Sequence, residues 1–474
     1  MVSWWTATLI LATAWALAMA MVIVMQRRSA AATIAWLLVL ALLPFVGLAV
    51  YRFIGPLRLE RKKMRRRRTR RLVSEALGTF AQIKAESVDP DAAELARVGV
   101  SAGEAPPLRA ESVELYIDGA AAYAAITRAI EEARHHVHLE YYIWEPDHVG
   151  LRLIDLLARK AREGVRVRLL LDAVGSHNLR RRHLAPLREA GGEVAWFNQV
   201  TLRFFRGRRA DFRTHRKIVV CDGKVGFTGG MNITDVHTAE ETGIRAWRDT
   251  HLRVSGSVVR ALQLLFADDW SFATEKTVAV PAEYFPAADG DGAHIVQILG
   301  SGPDSDAFPI QRSFFTAINS ASRSLYVTTP YFIPDEPILA ALIGAALRGV
   351  DTRLLIPQRG DSLLIDLAAR SYLPELLAAG VRAYEYGPRF VHAKTMVIDR
   401  EISIVGTANL DVRSFKLNFE VAALVYDRAV TEALARAFHD DLHGAREFQA
   451  SDLTGAPFLR RLGQATARLL SPLL

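Results

Sequence analysis

The 474-residue chain reads as an α/β protein of two tandem α/β/α sandwich domains related by a pseudo-two-fold axis, preceded by a two-helix transmembrane hairpin. Three observations predict this. Two long apolar segments open the sequence, and a recurring order of helices and apolar strands fills most of the rest. The pattern His-x-Lys-x4-Asp then appears once in each recurrence, as His215, Lys217, Asp222 and as His392, Lys394, Asp399.

The hairpin comes first, over residues 1–57. Residues 4–25 are 22 uncharged positions and residues 29–51 another 23, each matching the ~20 apolar residues that cross a bilayer. A cleaved signal peptide would need a basic start and a small-residue cleavage site, but Met1 to Ser3 carry no charged side chain and a second apolar segment follows directly. The only charges between the segments are Arg27 and Arg28, whereas residues 58–71 hold ten basic residues against Glu60. The positive-inside rule puts everything after the second segment in the cytoplasm.

That run carries +9 against a formal +8 for the whole chain, so the remainder is close to −1. The basic excess is therefore a topology signal and a stripe suited to anionic lipid headgroups. It predicts no nucleic-acid partner, which would need a basic groove. Cys221 is the only cysteine. No intrachain disulfide is possible, and its place in the apolar run IVVC reads as a buried strand position.

Residues 58–107 read as a juxtamembrane segment and linker, and the repeat follows over 108–280 and 281–450. Its landmarks pair up: HVHLEYYIW with SLYVTTPYFIP, GVRVRLLLD with GVDTRLLIP, EAGGEVAWF with LAAGVRAYEY. Apolar runs alternating with helical patterns indicate layered α/β units whose sheets are covered on both faces. The tail 451–474 places leucines on one side of a helix and arginines on the other, suiting either a core cap or a membrane interface. LRFFRGRR at 202–209 is a surface loop or an interfacial patch.

Each motif reads as a strand on which His and Lys, two apart, share a face. An Asn follows each His by 17 residues (Asn232, Asn409), behind Gly229-Gly230 or Gly406-Thr407. One neutral imidazole can attack phosphorus while another protonates the leaving oxygen. Two lysines, two Asn amides and the Thr407 hydroxyl suit the equatorial oxygens. This is phosphoryl transfer with no metal and no other cofactor. Either motif alone could be an edge pair of a sheet. A metal site fits poorly, because each His stands beside a Lys, a weak ligand, with no cysteine cluster. His135, His136 and His138 look more like ligands, yet they open an aromatic strand and read as a surface-to-core transition.

At these residues the chain resembles the phospholipase D superfamily, and within it the bacterial cardiolipin synthases. Both copies meet the superfamily signature, and WRDTHLRVSG, FADDW, SGPD and PYFIPDE extend the likeness along nearly the whole chain. Thr214 stands where synthases often carry Asn, and Gly-Thr replaces Gly-Ser in the second motif. The resemblance implies a phosphatidyl-histidine intermediate formed from phosphatidylglycerol and resolved by a second phosphatidylglycerol, with glycerol leaving. It implies His215 as nucleophile and His392 as acid and base. Glu420 and its first-half counterpart Asp249 would orient the imidazoles, and Asp222 and Asp399 would hold the turn after each motif strand. A hydrolase would share the residues and differ in letting water attack, and a phosphatidyltransferase with another alcohol acceptor would share them too; the hairpin and the synthase landmarks favour transfer between lipids.

Overall fold

The computed structural model describes residues 4–26, 30–43, 46–48, 51, 86, 88–198, 212–275, 281–286, 292–387, 389–449, 451–452 and 457–471. The basic run 58–71 and the 202–209 segment lie outside them. The hairpin and the body of the chain fall in separate compact units.

In the hairpin, helices Trp4–Val24 and Ala30–Leu42 pack through Ile23 and Leu40 with Tyr51. The Tyr51 ring meets Trp36 edge-on at 5.1 Å, and its hydroxyl accepts from Gln26 Nε2 at 2.6 Å. Met21, Met25 and Leu42 are exposed. The second helix ends after 13 residues, ahead of Pro44, and no helix among the described residues is long and apolar enough to cross a membrane.

The body carries the predicted repeat in its strand order. The first sheet runs β2 (Ser112–Tyr116), β9 (His251–Ser255), β8 (Val225–Gly229), β7 (Ile218–Cys221), β3 (His136–Tyr141), β4 (Arg166–Asp172), β5 (Glu193–Phe197). The second runs β10 (His294–Ser301), β18 (Asn418–Val425), β16 (Ile402–Gly406), β15 (Thr395–Ile398), β11 (Ser324–Thr328), β13 (Asp351–Pro357), β14 (Arg382–Tyr386). Strand for strand this is the same order, with two parallel pairings at one end and antiparallel neighbours elsewhere; β12 (Phe332–Ile333) and β17 (Leu410–Asp411) form a separate short parallel pair. Helices start where the sequence offers caps: Asp147 accepts from Gly150 N, and its second-half equivalent Asp335 from Ile338 N.

The second sheet is longer at both ends. β1 (Leu108–Ala110) extends its β10 edge and β19 (Ala445–Glu447) its β14 edge. Ala92 and Leu95 join the second-half core. Residues 92–110 therefore belong structurally with the second half, although they precede the first in sequence. One apolar cluster draws on both halves, Ile218, Val220 and Leu252 meeting Tyr326, Leu355 and Val405. Burial of that shared layer, not a linker, holds the two sheets together. Cys221 is buried, as expected, and burial pushes its thiol pKa up.

Candidate active site

The motif segments depart from simple strands. β7 and β15 begin one residue after Lys217 and Lys394, so each His precedes its own ladder. The reason is that each His is bonded to the opposite half. His215 N donates to Phe419 O at 2.8 Å, and His392 N donates to Arg248 O at 2.7 Å. β6 (Arg213–Thr214) pairs in parallel with β18, and Val391 bridges to Arg248. Buried arginines pin these crossings. Arg216 donates to Glu420 O and pairs with Asp269, while Arg248 donates to Asp249 O and pairs with Asp441.

The orienting carboxylates are exchanged between halves as well. His215 Nδ1 lies 3.0 Å from Glu420 Oε2 and 3.1 Å from Thr407 O. His392 Nδ1 lies 2.7 Å from Asp249 Oδ2. All four side chains are buried. A carboxylate on Nδ1 fixes the proton there and leaves Nε2 with the lone pair. Both lysines fold back on their own motif, Lys217 Nζ donating to His215 O at 2.7 Å and Lys394 Nζ to His392 O.

Burial dominates the electrostatics. It pushes His215 down to about 4, with Lys217 and Lys394 adding and Glu420 opposing. Burial and the two lysines likewise hold His392 well below the usual imidazole value. Lys217 is lowered to about 7 and Lys394 to about 8, again by burial first, against the raising influence of Glu420 and Asp249. Burial would raise Glu420; His215, Lys217 and the Thr407 hydroxyl outweigh it and hold the carboxyl below its ordinary value. At neutral pH the site thus offers two neutral imidazoles beside ionised Glu420.

The remaining residues divide. Asp222 accepts from the N–H groups of Arg134, His135 and His136, and Asp399 from those of Ser322, Arg323 and Ser324. Both hold the turn after the motif strand, in left-handed backbone at φ 54° and 53°, and neither faces the imidazoles. Asn232 Oδ1 accepts from Ile143 N, so its NH2 is the end left for a ligand. Asn409 spends one N–H on Asp411. Thr407 does not fit the phosphate-binding role. Its hydroxyl donates to Glu420 Oε2 at 2.5 Å and accepts from Val421 N at 3.0 Å, so its hydrogen bonds are already committed. It positions Glu420.

Sequence reasoning missed the aromatic walls. Tyr142 meets the His215 ring edge-on at 5.0 Å, and its own ring lies 5.5 Å from Lys217 Nζ. Trp247 and Phe390 stand 5.1 and 6.0 Å from the His392 ring. Tyr142 and Trp247 sit in the landmark runs HLEYYIW and WRD, which is the signal that could have found them. His237 is also buried here, its unpartnered Nδ1 3.9 Å from Asp249 Oδ2. His237, Asp249 and His392 are a group of metal-capable side chains among the described residues, but Asp249 and His392 are already bonded to each other. His136 and His138 share Gln263 within the core.

Two His-Lys motifs meeting across matched sheets, each imidazole held by the other half's carboxylate, define a two-domain phospholipase D-like enzyme. The family described as "Cardiolipin synthase, PLD-like domain" matches residues 126–252 and 314–442, and "Phospholipase_D-nuclease N-terminal" matches 14–56. The chain is 41% identical to a cardiolipin synthase of Geobacillus kaustophilus over 96% of its own length and 91% of the relative's. It is 37% identical to cardiolipin synthase 1 of Bacillus anthracis over the same shares. A solved phosphatidylserine synthase from Haemophilus influenzae has the same fold at 13% identity, with a TM-score of 0.62, covering 80% of this chain and 99% of that one. The chain belongs to the bacterial cardiolipin synthase family of the phospholipase D superfamily, and is a phosphatidyltransferase.

Proposed function

We propose that the enzyme joins two phosphatidylglycerol molecules into cardiolipin and releases glycerol, through a phosphatidyl-histidine on His215. The observation that carries this is the exchanged pair of carboxylates. With both Nδ1 positions held, both Nε2 lone pairs are free for phosphorus and for protons. His215 Nε2 forms the P–N bond as the P–O bond to glycerol breaks, and His392 donates the proton that glycerol carries away. His392 then takes a proton from the primary hydroxyl of the second phosphatidylglycerol, whose oxygen displaces His215 from phosphorus. Lys217, Lys394 and the NH2 of Asn232 offset charge on the equatorial oxygens. His392 is neutral in the free site, so it must gain its proton with substrate. The anionic phosphodiester beside the two lysines favours that uptake.

The substrates are lipids, and the hairpin is read as the membrane anchor. Its uncharged segments, its exposed methionines and leucines, and the basic run after it support two crossings with the body at the cytoplasmic face. Incubating the full chain with headgroup-labelled phosphatidylglycerol and a chelator tests the reaction. Cardiolipin and labelled glycerol are expected in equal amounts, and phosphatidic acid as the sole lipid product would overturn transfer.

A further inference from the structure

The tail helix Phe458–Leu469 docks on the helix Leu363–Ala378 by a narrow face. Ala467 is fully buried. Arg468 lies 4.5 Å over the Tyr372 ring and donates to Glu375, and Tyr372 donates to Ser471 at 2.9 Å. At 100° per residue, Arg460, Arg461 and Arg468 fall on one flank of the docked face, and Leu459, Leu462 and Leu469 on the other. Those leucines and Phe458 are 51–80% exposed. Four large apolar side chains bared on three turns mark an interaction surface.

Beside the arginine flank is a cavity of about 310 Å³ between the two helices and β19. Five arginines line it (370, 446, 460, 461, 468) against two carboxylates, Glu385 and Asp452. Arg370 and Arg446 flank the Phe448 ring at 5.9 and 5.3 Å and divide Glu385 between them. Arg446 also takes Asp452. Both carboxylates are thus engaged, while Arg460 and Arg461 have no ion pair among the described residues. The cavity keeps a positive excess and opens next to an apolar strip.

We propose that this cavity binds the headgroup phosphate of an anionic phospholipid, with the leucine flank set into the acyl boundary of the same bilayer. Cationic and apolar flanks side by side on one helix are what an interfacial helix requires. The tail would then be a lipid contact separate from the catalytic site, and it rests on the membrane reading above.

The test uses the full chain in nanodiscs, with an environment-sensitive dye on Thr466→Cys, an exposed position between the leucines. Buried Cys221 leaves that thiol the accessible one. Discs of phosphatidylcholine alone are compared with discs containing phosphatidic acid, which has no alcohol to lose and so is no phosphatidyl donor. A blue shift in the anionic discs only is expected. Arg460→Gln with Arg461→Gln should lower the embedded-to-exposed ratio about 30-fold, the two charges being worth about 1 kcal/mol each near such a surface. Equal emission in both discs, an unaffected double variant, or displacement by inorganic phosphate would each overturn the proposal. Failure of the hairpin reading looks different, because the protein would then not enter discs at all.

Discussion

The two halves hold their imidazoles with the same hydrogen bond built from different residues. His215 is held by the longer Glu420, whose oxygens are in turn fixed by the Thr407 hydroxyl and the Asn418 amide. His392 is held by the shorter Asp249, whose other oxygen accepts from Thr250 N. At the position equivalent to Thr407 stands Gly230, where a Cβ would lie 2.0 Å from Asp249 Oδ1. A long carboxylate has an extra torsion to restrain, and a hydroxyl restrains it. A short one must be reached by its own backbone, and a glycine makes the room. The departure from symmetry is thus a matched substitution, Gly with Asp and Thr with Glu.

The comparison breaks most sharply at the histidines. His215→Ala and His392→Ala should each lower turnover on the order of 10⁴–10⁶-fold. They should part with a phosphatidyl donor carrying nitrophenol, a leaving group that needs no proton. His392→Ala then gives a single-turnover burst of nitrophenol, and His215→Ala gives none. A burst in the second alone would exchange the two roles. Glu420→Gln and Asp249→Asn keep shape but lose the charge that orders the tautomer. Each should cost about 10²–10⁴-fold in kcat with little change in KM.

The pH profile sharpens the comparison next. In the roles proposed, His215 attacks as the neutral ring, so kcat/KM should fall as pH drops through about 4, where protonation takes the Nε2 lone pair. In the same roles His392 must take up a proton with substrate, and Lys217 and Lys394 act as cations. Thus kcat/KM should already decline above the lowered His392 value, and fall further as pH rises through about 7 and about 8. In Glu420→Gln the acid limb should move to lower pH, because the carboxylate that favours the charged imidazole is gone. An acid limb that stays in place would detach it from His215.

Much of this was legible in the chain. The duplicated His-x-Lys-x4-Asp, the paired landmarks and the apolar runs predict the repeat, because period and burial are local properties that a strand sequence must carry. Asp222 and Asp399 were readable as turn anchors for the same reason. The exchange of Glu420 and Asp249 was not legible. It depends on how two sheets cross, and nothing near His215 in sequence points 205 residues onward to Glu420. The place of residues 92–110 on the second half was hidden likewise, since strand addition at a sheet edge leaves no local mark. Thr407 misled because a hydroxyl behind the motif is as apt for a phosphate as for a carboxylate, and only the 2.5 Å contact to Glu420 decides.

The smallest effects should come from Gly230 and Thr407, and they bear most directly on the matched-pair reading. Gly230→Ala puts a Cβ against Asp249 Oδ1, so the carboxylate must swing off His392. A loss of about 10–100-fold in kcat is expected, as for a misplaced catalytic group. Thr407→Val removes a hydroxyl from a buried, ionised carboxylate, and a hydrogen bond to a charged group is worth about 1.5–3 kcal/mol. Part of that should appear as lost thermal stability and part as a lower kcat. Thr407→Ser keeps the hydroxyl and should stay close to wild type, since what Glu420 needs at this position is the donor and not the methyl group. Were Thr407 instead a phosphate ligand, Thr407→Val would raise KM for phosphatidylglycerol and leave the acid limb where it was. If it positions Glu420, KM should hold while Glu420, short of a donor, gains proton affinity and the acid limb moves. Measuring KM and the acid limb in Thr407→Val and Thr407→Ser together separates the two roles.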